Sequence, residues 1–498
     1  MKRAVTESPA REPSGGSRSE ALREAWRVYY AEAARESPRH PQARDHLQRD
    51  LAAALGRMIP ADASVLEVGC GAGDLLASLP NPHRAARLGV DQSESMVAIA
   101  QKRHPGLDFQ VAEAPALESL PGAFDAVICD RLCHSVLDVR ALLASLADRL
   151  ADDGRIFLTT FNYLWEVPTR LAEQLGWKLP APKSNWLSES DFHNLFGMTD
   201  LEVVRYDDRL MMPLDVPGLG AALNRYLVKL PGWNLLSLYR IYVLRKRRAP
   251  RPARAAATVS IVVPARNEAG NIAAAVERTP VMGGGTEIIF VEGGSSDGTW
   301  EKIQEVIEQN RRNGGPLRLS AHKQTGKGKG DAVRLGFGKA TGDLLMILDA
   351  DLTVPPEDLP VFFAAAVAGH ADYLQGTRLV YPMEAGAMRF FNKLGNIAFS
   401  RLFTHLLQQP IKDTLCGTKV LWRRDYERLA AARHFFGDFD PFGDFDLIFG
   451  AAKLNLKLGE IPVRYRDRVY GETNIQRWKH GWLLLKMSAL AARKLRYV

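Results

Sequence analysis

Short apolar runs separated by stretches of helical spacing recur along almost the whole chain, in two series. The first occupies residues 41–244 and includes "SVLEV" (64–68), "ARLGV" (86–90), "FDAVIC" (124–129) and "RIFLTTF" (155–161). The second opens at "VSIVVPA" (259–265) and continues through "EIIFVE" (287–292) and "LLMIL" (344–348). Runs this short and this apolar, bounded by Gly, Pro, Asn and Asp, have the pattern of strands buried on both faces. Their alternation with helices predicts parallel α/β sheets. A polar tail and leading helix are expected over 1–40, with the first 18 residues disordered and a helix near 20–36. Two further segments, 388–409 and 477–498, place Phe, Leu, Ile and Trp at helical spacing among cations, which predicts amphipathic helices.

Composition adds bounds to this picture. At 498 residues the chain exceeds what one hydrophobic core serves, so two domains are expected, divided by the basic segment 245–257. That segment holds "RKRRAPRPAR" (245–254), six cations and no acid, and reads as a solvated linker or an anchor for anionic lipid or nucleic acid. Four cysteines are too few for a disulfide framework. Cys129, Cys133 and His134 lie close together, but a fourth metal ligand is not evident. No apolar run approaches the roughly 20 residues a membrane-spanning helix requires, and the N-terminus lacks the apolar core of a secretory signal. A cytoplasmic location is expected, with at most peripheral contact at the inner leaflet.

The first domain carries its chemistry at strand ends. "SVLEVGCGAGDLL" (64–76) runs from a strand through Gly69, Gly71 and Gly73 into a helix. Asp74 stands where a dinucleotide site would want a fourth small residue, which argues against cradling a pyrophosphate. Asp91 ends the second strand, where a carboxylate can accept hydrogen bonds from both hydroxyls of a ribose. Glu113 follows the third strand, and His134 follows the fourth. Residues 41–240 resemble the class I S-adenosylmethionine-dependent methyltransferases in this ordered series. The resemblance implies cofactor binding by Glu67, Gly69, Gly71, Gly73, Asp91, Gln92, Glu113 and Ala114. His134 is either a general base for a hydroxyl acceptor or a helix-start histidine near the cofactor carboxylate.

In the second domain, "SIVVPARNEAGNI" (260–272), "EIIFVEGGSSDGT" (287–299) and "TGKGKGDAVRLGF" (325–337) each end a strand or open a helix with polar and glycine residues. "LMILDADLTVPPED" (345–358) sets Asp349 and Asp351 at the end of a buried run, where an uncompensated charge is costly. Acids at strand ends beside a Lys/Gly loop suggest a metal–nucleotide site. These motifs, with "DTLCGTKVL" (413–421), "FGDFDLIFGA" (442–451) and "VRYRDRVYGETN" (463–474), resemble the family 2 inverting glycosyltransferases over 258–475. The likeness is greatest to the branch making dolichyl- or polyprenyl-phosphate sugars.

That resemblance implies a GT-A type fold and a UDP- or GDP-sugar donor. It places Pro264, Arg266, Asn267, Glu268, Glu292, Lys327, Asp331, Asp349, Ala350, Asp351, Arg464 and Arg466 around the nucleotide sugar. Asp351 and Asp349 would hold Mg²⁺ or Mn²⁺. Asp446, with Asp444 beside it, is the candidate base if the acceptor is a hydroxyl. Departures from the family pattern are Glu292–Gly293 in place of two aspartates, Ile448 after the Phe-Asp, and Asn474 in place of a lysine. The expectation is a bifunctional enzyme of two Rossmann-like α/β domains. It transfers a sugar to polyprenyl phosphate or a glycan, and a methyl group to the same glycan, lipid or intermediate. The alternatives are a soluble secondary metabolite as acceptor, or a nucleic-acid methyltransferase with an accessory domain; nucleic acid is not the expected partner.

Overall fold

The computed structural model describes residues 20–29, 41–80, 85–114, 116–213, 216, 218–248, 252–381, 390–435, 444–468, 470 and 477–497. It divides into two compact units between Lys246 and Arg247, within the expected linker. The N-terminal tail lies outside the described residues, and the leading helix is described over 20–29.

In the first unit seven strands form one sheet: β1 (Val65–Val68), β2 (Arg87–Asp91), β3 (Asp108–Val111), β4 (Phe124–Asp130), β5 (Leu150–Phe161), β6 (Leu201–Arg209) and β7 (Tyr239–Lys246). Their order is β3-β2-β1-β4-β5-β7-β6. β1 to β5 pair in parallel, whereas β7 runs antiparallel to both β5 and β6. That is the class I methyltransferase arrangement. Alternate residues serve opposite faces, as a pleated strand requires: Val127 and Cys129 join one core cluster, and Ala126 and Ile128 the other.

The second unit repeats the logic with another order. Its strands are β8 (Val259–Ala265), β9 (Thr286–Glu292), β10 (Arg318–Lys323), β11 (Leu344–Ile347), β12 (Tyr373–Thr377), β13 (Lys419–Trp422) and β14 (Leu458–Pro462). They are arranged β10-β9-β8-β11-β13-β12-β14, with β13 antiparallel to its neighbours β11 and β12. Ile288 and Phe290 face one core cluster, and Ile289 and Val291 the other.

Structure consumes much of the basic segment. Arg245 pairs with Glu202 at 2.6 Å, and Lys246 donates to the Leu150 carbonyl at 2.7 Å. In the second unit Arg248 pairs with buried Asp372 at 2.6 Å, and Arg254 lies over the Trp422 ring. Four of the six cations are therefore fastened to the folded units, which corrects the reading of a solvated linker and removes most of a phosphate grip. The predicted amphipathic helices are present as Phe390–Leu407 and Arg477–Ala491. Phe403, Leu407, Leu484 and Met487 pack into a core, while Leu394, Trp482 and Leu485 face outward. Among the described residues no helix is long and apolar enough to cross a membrane.

Candidate functional sites

At the carboxyl ends of β1 and β2 the chain makes a tight polar rim. Gly69, Gly71 and Gly73 all have positive φ, the left-handed region that glycine enters without cost. They differ in what surrounds them. A β-carbon at Gly73 would lie 2.5 Å from the Phe109 ring, whereas one at Gly71 would meet nothing within 4 Å. Gly73 is a packing requirement, and Gly71 leaves an open approach. Asp91 takes the Gly71 amide on one carboxylate oxygen and the Ser93 amide on the other, both at 2.9 Å. Burial raises its pKa, against those two amides.

Glu67 does something different from its neighbours in the motif. It is buried and accepts the Leu76 amide at 3.1 Å, bracing the helix that follows the loop. Burial, followed by the charge on Asp130, raises its pKa well above the ordinary value. Gln92 lies in the bend after β2. Glu113 and Ala114 lie just past β3, with Glu113 3.5 Å from Arg23 of the leading helix.

His134 is tied to the backbone through both ring nitrogens. Its Nδ1–H donates to the Asn185 carbonyl at 2.7 Å, and its Nε2 accepts the Phe161 amide at 3.0 Å. With both nitrogens bonded to backbone and the ring buried, no lone pair is left for an acceptor's proton. Burial pushes the imidazole pKa down to about 4. His134 is a bracket between β5 and the segment before the helix Glu189–Met198. Cys129 and Cys133 are buried thiols, and among the described residues no cluster of three His, Cys, Asp or Glu is placed to hold a metal.

The second unit gathers its acids at the ends of β8 and β11. Pro264 is in β8, and Arg266 and Asn267 are exposed just beyond it. Asn267 has φ 56°, and its side-chain oxygen accepts the Ser296 amide at 2.9 Å. Glu268 is buried, bonded to Asn271 Nδ2 at 2.7 Å. Burial first, with Asp351 and Asp297 also contributing, lifts its pKa to about 7. Glu292, also buried, accepts the Ser295 amide and shapes the loop after β9. Asp297, which the sequence did not single out, takes the Ala269 amide and the Tyr470 hydroxyl, each at 3.1 Å.

Asp349 and Asp351 both have cation partners within the chain. Asp349 pairs with Lys329 at 2.6 Å. Burial by itself would raise its pKa, but Lys329, then Lys419 and Arg378, hold it below the usual carboxylate range. Ala350 between the two acids is buried. Asp351 accepts from Thr353 through one oxygen and from Arg468 Nη2 at 2.6 Å through the other. Arg468 also reaches Glu268 at 3.3 Å. One guanidinium thus ties three elements together.

Arg468, rather than Arg464 or Arg466, is the cation brought to the acids. Arg464 is exposed near the Tyr381 ring, and exposed Arg466 lies near Glu357 and Asp358. Lys327 is exposed, and Asp331 braces the Lys/Gly loop by accepting the Gly326 amide at 3.1 Å. The segment "DTLCGTK" reaches the same place. A β-carbon at Gly417 would fall 1.8 Å from Asp349 Oδ2, so only glycine permits this approach.

Asp446, the candidate base, lies in the first turn of the helix Asp444–Lys453. Its carboxylate is clasped by Arg433 at 3.0 Å and Arg334 at 3.4 Å, a pairing that joins three helical segments. The Asp444 side chain and residue Asn474 lie outside the described residues.

The donor set at Asp351 fits a hard divalent cation. It offers carboxylate oxygens at a rim already organised around positive charge, and Mg²⁺ or Mn²⁺ sites commonly use one or two carboxylates and complete the shell from a substrate diphosphate. Asp351, with Asp349 behind it, would hold the ion.

Two α/β units with ligand rims at their strand ends define a two-domain transferase. The model of the methyltransferase domain matches residues 40–206, and that of glycosyl transferase family 2 matches residues 260–429. The chain therefore joins a methyltransferase domain to a family 2 glycosyltransferase domain. Its second half is 29% identical over 224 residues to a dolichol-phosphate mannosyltransferase of Pyrococcus furiosus, covering 44% of this chain and 59% of that protein. It is 27% identical over 219 residues to an undecaprenyl-phosphate 4-deoxy-4-formamido-L-arabinose transferase of Enterobacter sp., covering 43% and 62%. The chain thus spans about three-fifths of the length of these relatives. The crystal structure of magnesium protoporphyrin IX methyltransferase from Synechocystis is matched over 46% of this chain and 99% of that one, at 19% identity and a TM-score of 0.32.

Proposed function

We propose that the second unit transfers a sugar from a nucleoside diphosphate to a lipid phosphate of the polyprenyl type, and that the first methylates the same glycan, lipid or pathway intermediate. The observation that carries the first part is the meeting of Asp351, Glu268 and Arg468 at the ends of β8 and β11. Asp351 would hold a divalent cation, which when bound would supply counter-charge for the donor diphosphate. Asn267, Asp297 and the Glu292-braced loop form the donor-side wall. Lys329 holds Asp349 ionised, and Gly417 brings the "DTLCGTK" segment against it.

The two arginines around Asp446 bear on the acceptor chemistry. With Asp446 committed to two arginines, an acceptor that is already anionic is favoured over a neutral hydroxyl. A phosphate oxygen attacks without first giving up a proton. The two relatives, a dolichol-phosphate mannosyltransferase and an undecaprenyl-phosphate sugar transferase, carry names of this kind. Outward-facing Trp482 and Leu485 on the last helix support peripheral contact with the inner leaflet, where such lipids reside.

For the first unit, Asp91 and the open Gly71 turn support S-adenosylmethionine binding. With His134 unavailable, methyl transfer rests on positioning the acceptor in line with the methyl carbon. The test is a panel of UDP- and GDP-sugars with Mg²⁺ or Mn²⁺, with and without polyprenyl phosphate, followed by transfer of labelled methyl groups to the product. Sugar transfer that proceeds equally without lipid phosphate would sink the acceptor assignment.

A further inference from the structure

Two stretches of the methyltransferase unit, 163–177 and 219–236, expose large apolar side chains. The helix Glu166–Gln174 buries no residue at all. Val167, Leu171 and Leu175 recur on one of its faces, and with Trp177 they are 52–74% exposed. Opposite them in sequence, on 219–236, Leu219, Tyr226, Trp233 and Leu235 are 50–62% exposed.

These two stretches are one feature of the fold. The first leaves the end of β5 and the second enters β7, which pair at Phe161 and Tyr239. Asn162 clamps them: its amide donates to the Leu238 carbonyl at 3.0 Å and its side chain to the Leu235 carbonyl at 2.7 Å. Beneath them Lys229 is buried, its ammonium bound to Asp207 and to the Asp208 carbonyl at 2.7 Å. Arg209 bridges Asp207 to Asp50. The apolar collar therefore stands on a fastened polar base, at the strand-end edge that also carries the Gly71 turn.

We infer that this collar docks the methyltransferase unit on the surface of a bilayer containing anionic lipid, and hence that its methyl acceptor is held in that membrane. Burying such a patch against water is favourable, and a patch this extensive marks an interaction site. The chemistry selects the occupant. Tyr163, Trp177, Tyr226 and Trp233 are the amphipathic side chains suited to the headgroup level, and aliphatic residues lie between them. Charge agrees: with Lys229 buried beneath the collar, residues 162–186 and 212–238 leave four other cations against three acids. Glu166 and Glu173 are already paired with Arg170 and Lys178, while Lys183 is exposed. A protein partner's interface core would instead deplete charge.

The inference rests on the reading of the first unit as a methyltransferase, so the two are tested separately. All four cysteines are buried, so a cysteine introduced at Leu171→Cys or Trp233→Cys in the full chain takes a polarity-sensitive fluorophore selectively. Phosphatidylglycerol vesicles are expected to shift both probes to the blue. Lipid-borne nitroxide should quench them, and a probe at Glu305→Cys should not respond. The double variant Leu171→Glu/Trp233→Glu should lose at least about tenfold in vesicle affinity of this face, at an unchanged melting temperature. The docking is overturned if both collar probes stay unshifted while the chain floats with the vesicles. It is also overturned if the shift appears without lipid and grows with protein concentration, because a second copy then covers the face. Calorimetric titration of S-adenosylmethionine on the same preparation decides the methyltransferase reading independently of the probes.

Discussion

Arg468 Nη2 lies 2.6 Å from Asp351 Oδ2, and the two residues are 117 positions apart in the chain. The cost of placing an acid at the end of a buried strand is thus met within the protein by a guanidinium from the closing motif. That same guanidinium spans to Glu268. A donor and its cation would enter a site whose charges are already balanced, and Arg468 would be freed to meet phosphate oxygens, which it matches in bidentate fashion.

Removing the acid should separate the two activities. Asp351→Ala is expected to lower sugar transfer by at least about a hundredfold, because charge on the leaving diphosphate loses its counter-ion. S-adenosylmethionine affinity, measured by calorimetry on the same variant, should stay at the wild-type value. Retained sugar transfer would show that the cation sits elsewhere.

Removing the arginine should act on the ligand-free state as well. With Arg468→Ala, Asp351 and Glu268 are left facing each other without a cation, so Mn²⁺ titrated without donor should bind more tightly than to wild type. Sugar transfer should nevertheless fall. Electron paramagnetic resonance of free Mn²⁺ measures the first effect. Unchanged Mn²⁺ binding would mean that Arg468 does not occupy the cation's place.

On the methyltransferase side, Asp91 both fixes the Gly71 turn and faces the rim. Asp91→Ala is expected to weaken S-adenosylmethionine binding by roughly 100-fold, from loss of charge-assisted hydrogen bonds worth about 1.5–3 kcal/mol each. Sugar transfer should be unaffected.

His134 predicts a pH dependence of structure rather than of catalysis. Its pKa falls from an ordinary 6.5 to about 4 in the fold, so the neutral ring is the folded form. The stability it contributes is complete above pH 6.5 and is lost as pH falls toward 4. Hydrogen exchange at the Phe161 amide, corrected for intrinsic rate, should lose protection over that window in wild type. In His134→Gln that step should be absent.

Asp446 separates support from catalysis. Asp446→Asn should lower the melting temperature, since Arg433 and Arg334 lose their shared anion. Sugar transfer per folded molecule should stay within about threefold of wild type, because a base contributes roughly a hundredfold or more. A larger loss would restore its role as base.

The sequence by itself determined both sheets, the order of their motifs, and the turns at Gly69–Gly73 and Asp349–Asp351. These are local consequences of buried apolar runs ended by glycine and acid. It also determined that two domains of different chemistry follow one another. Tertiary structure alone decided which polar groups meet. Arg464, Arg466 and Arg468 are equivalent on a list of residues, yet only the path of the chain beyond β14 carries Arg468 to Glu268, 200 residues away. His134 and Asp446 stand in the sequence as titratable groups without their partners. Asn185, Phe161, Arg433 and Arg334 are those partners, and all but Arg433 lie at least 27 residues away along the chain. Hydrophobic periodicity is written every few residues, whereas charge compensation depends on distances that exist only once the chain has folded.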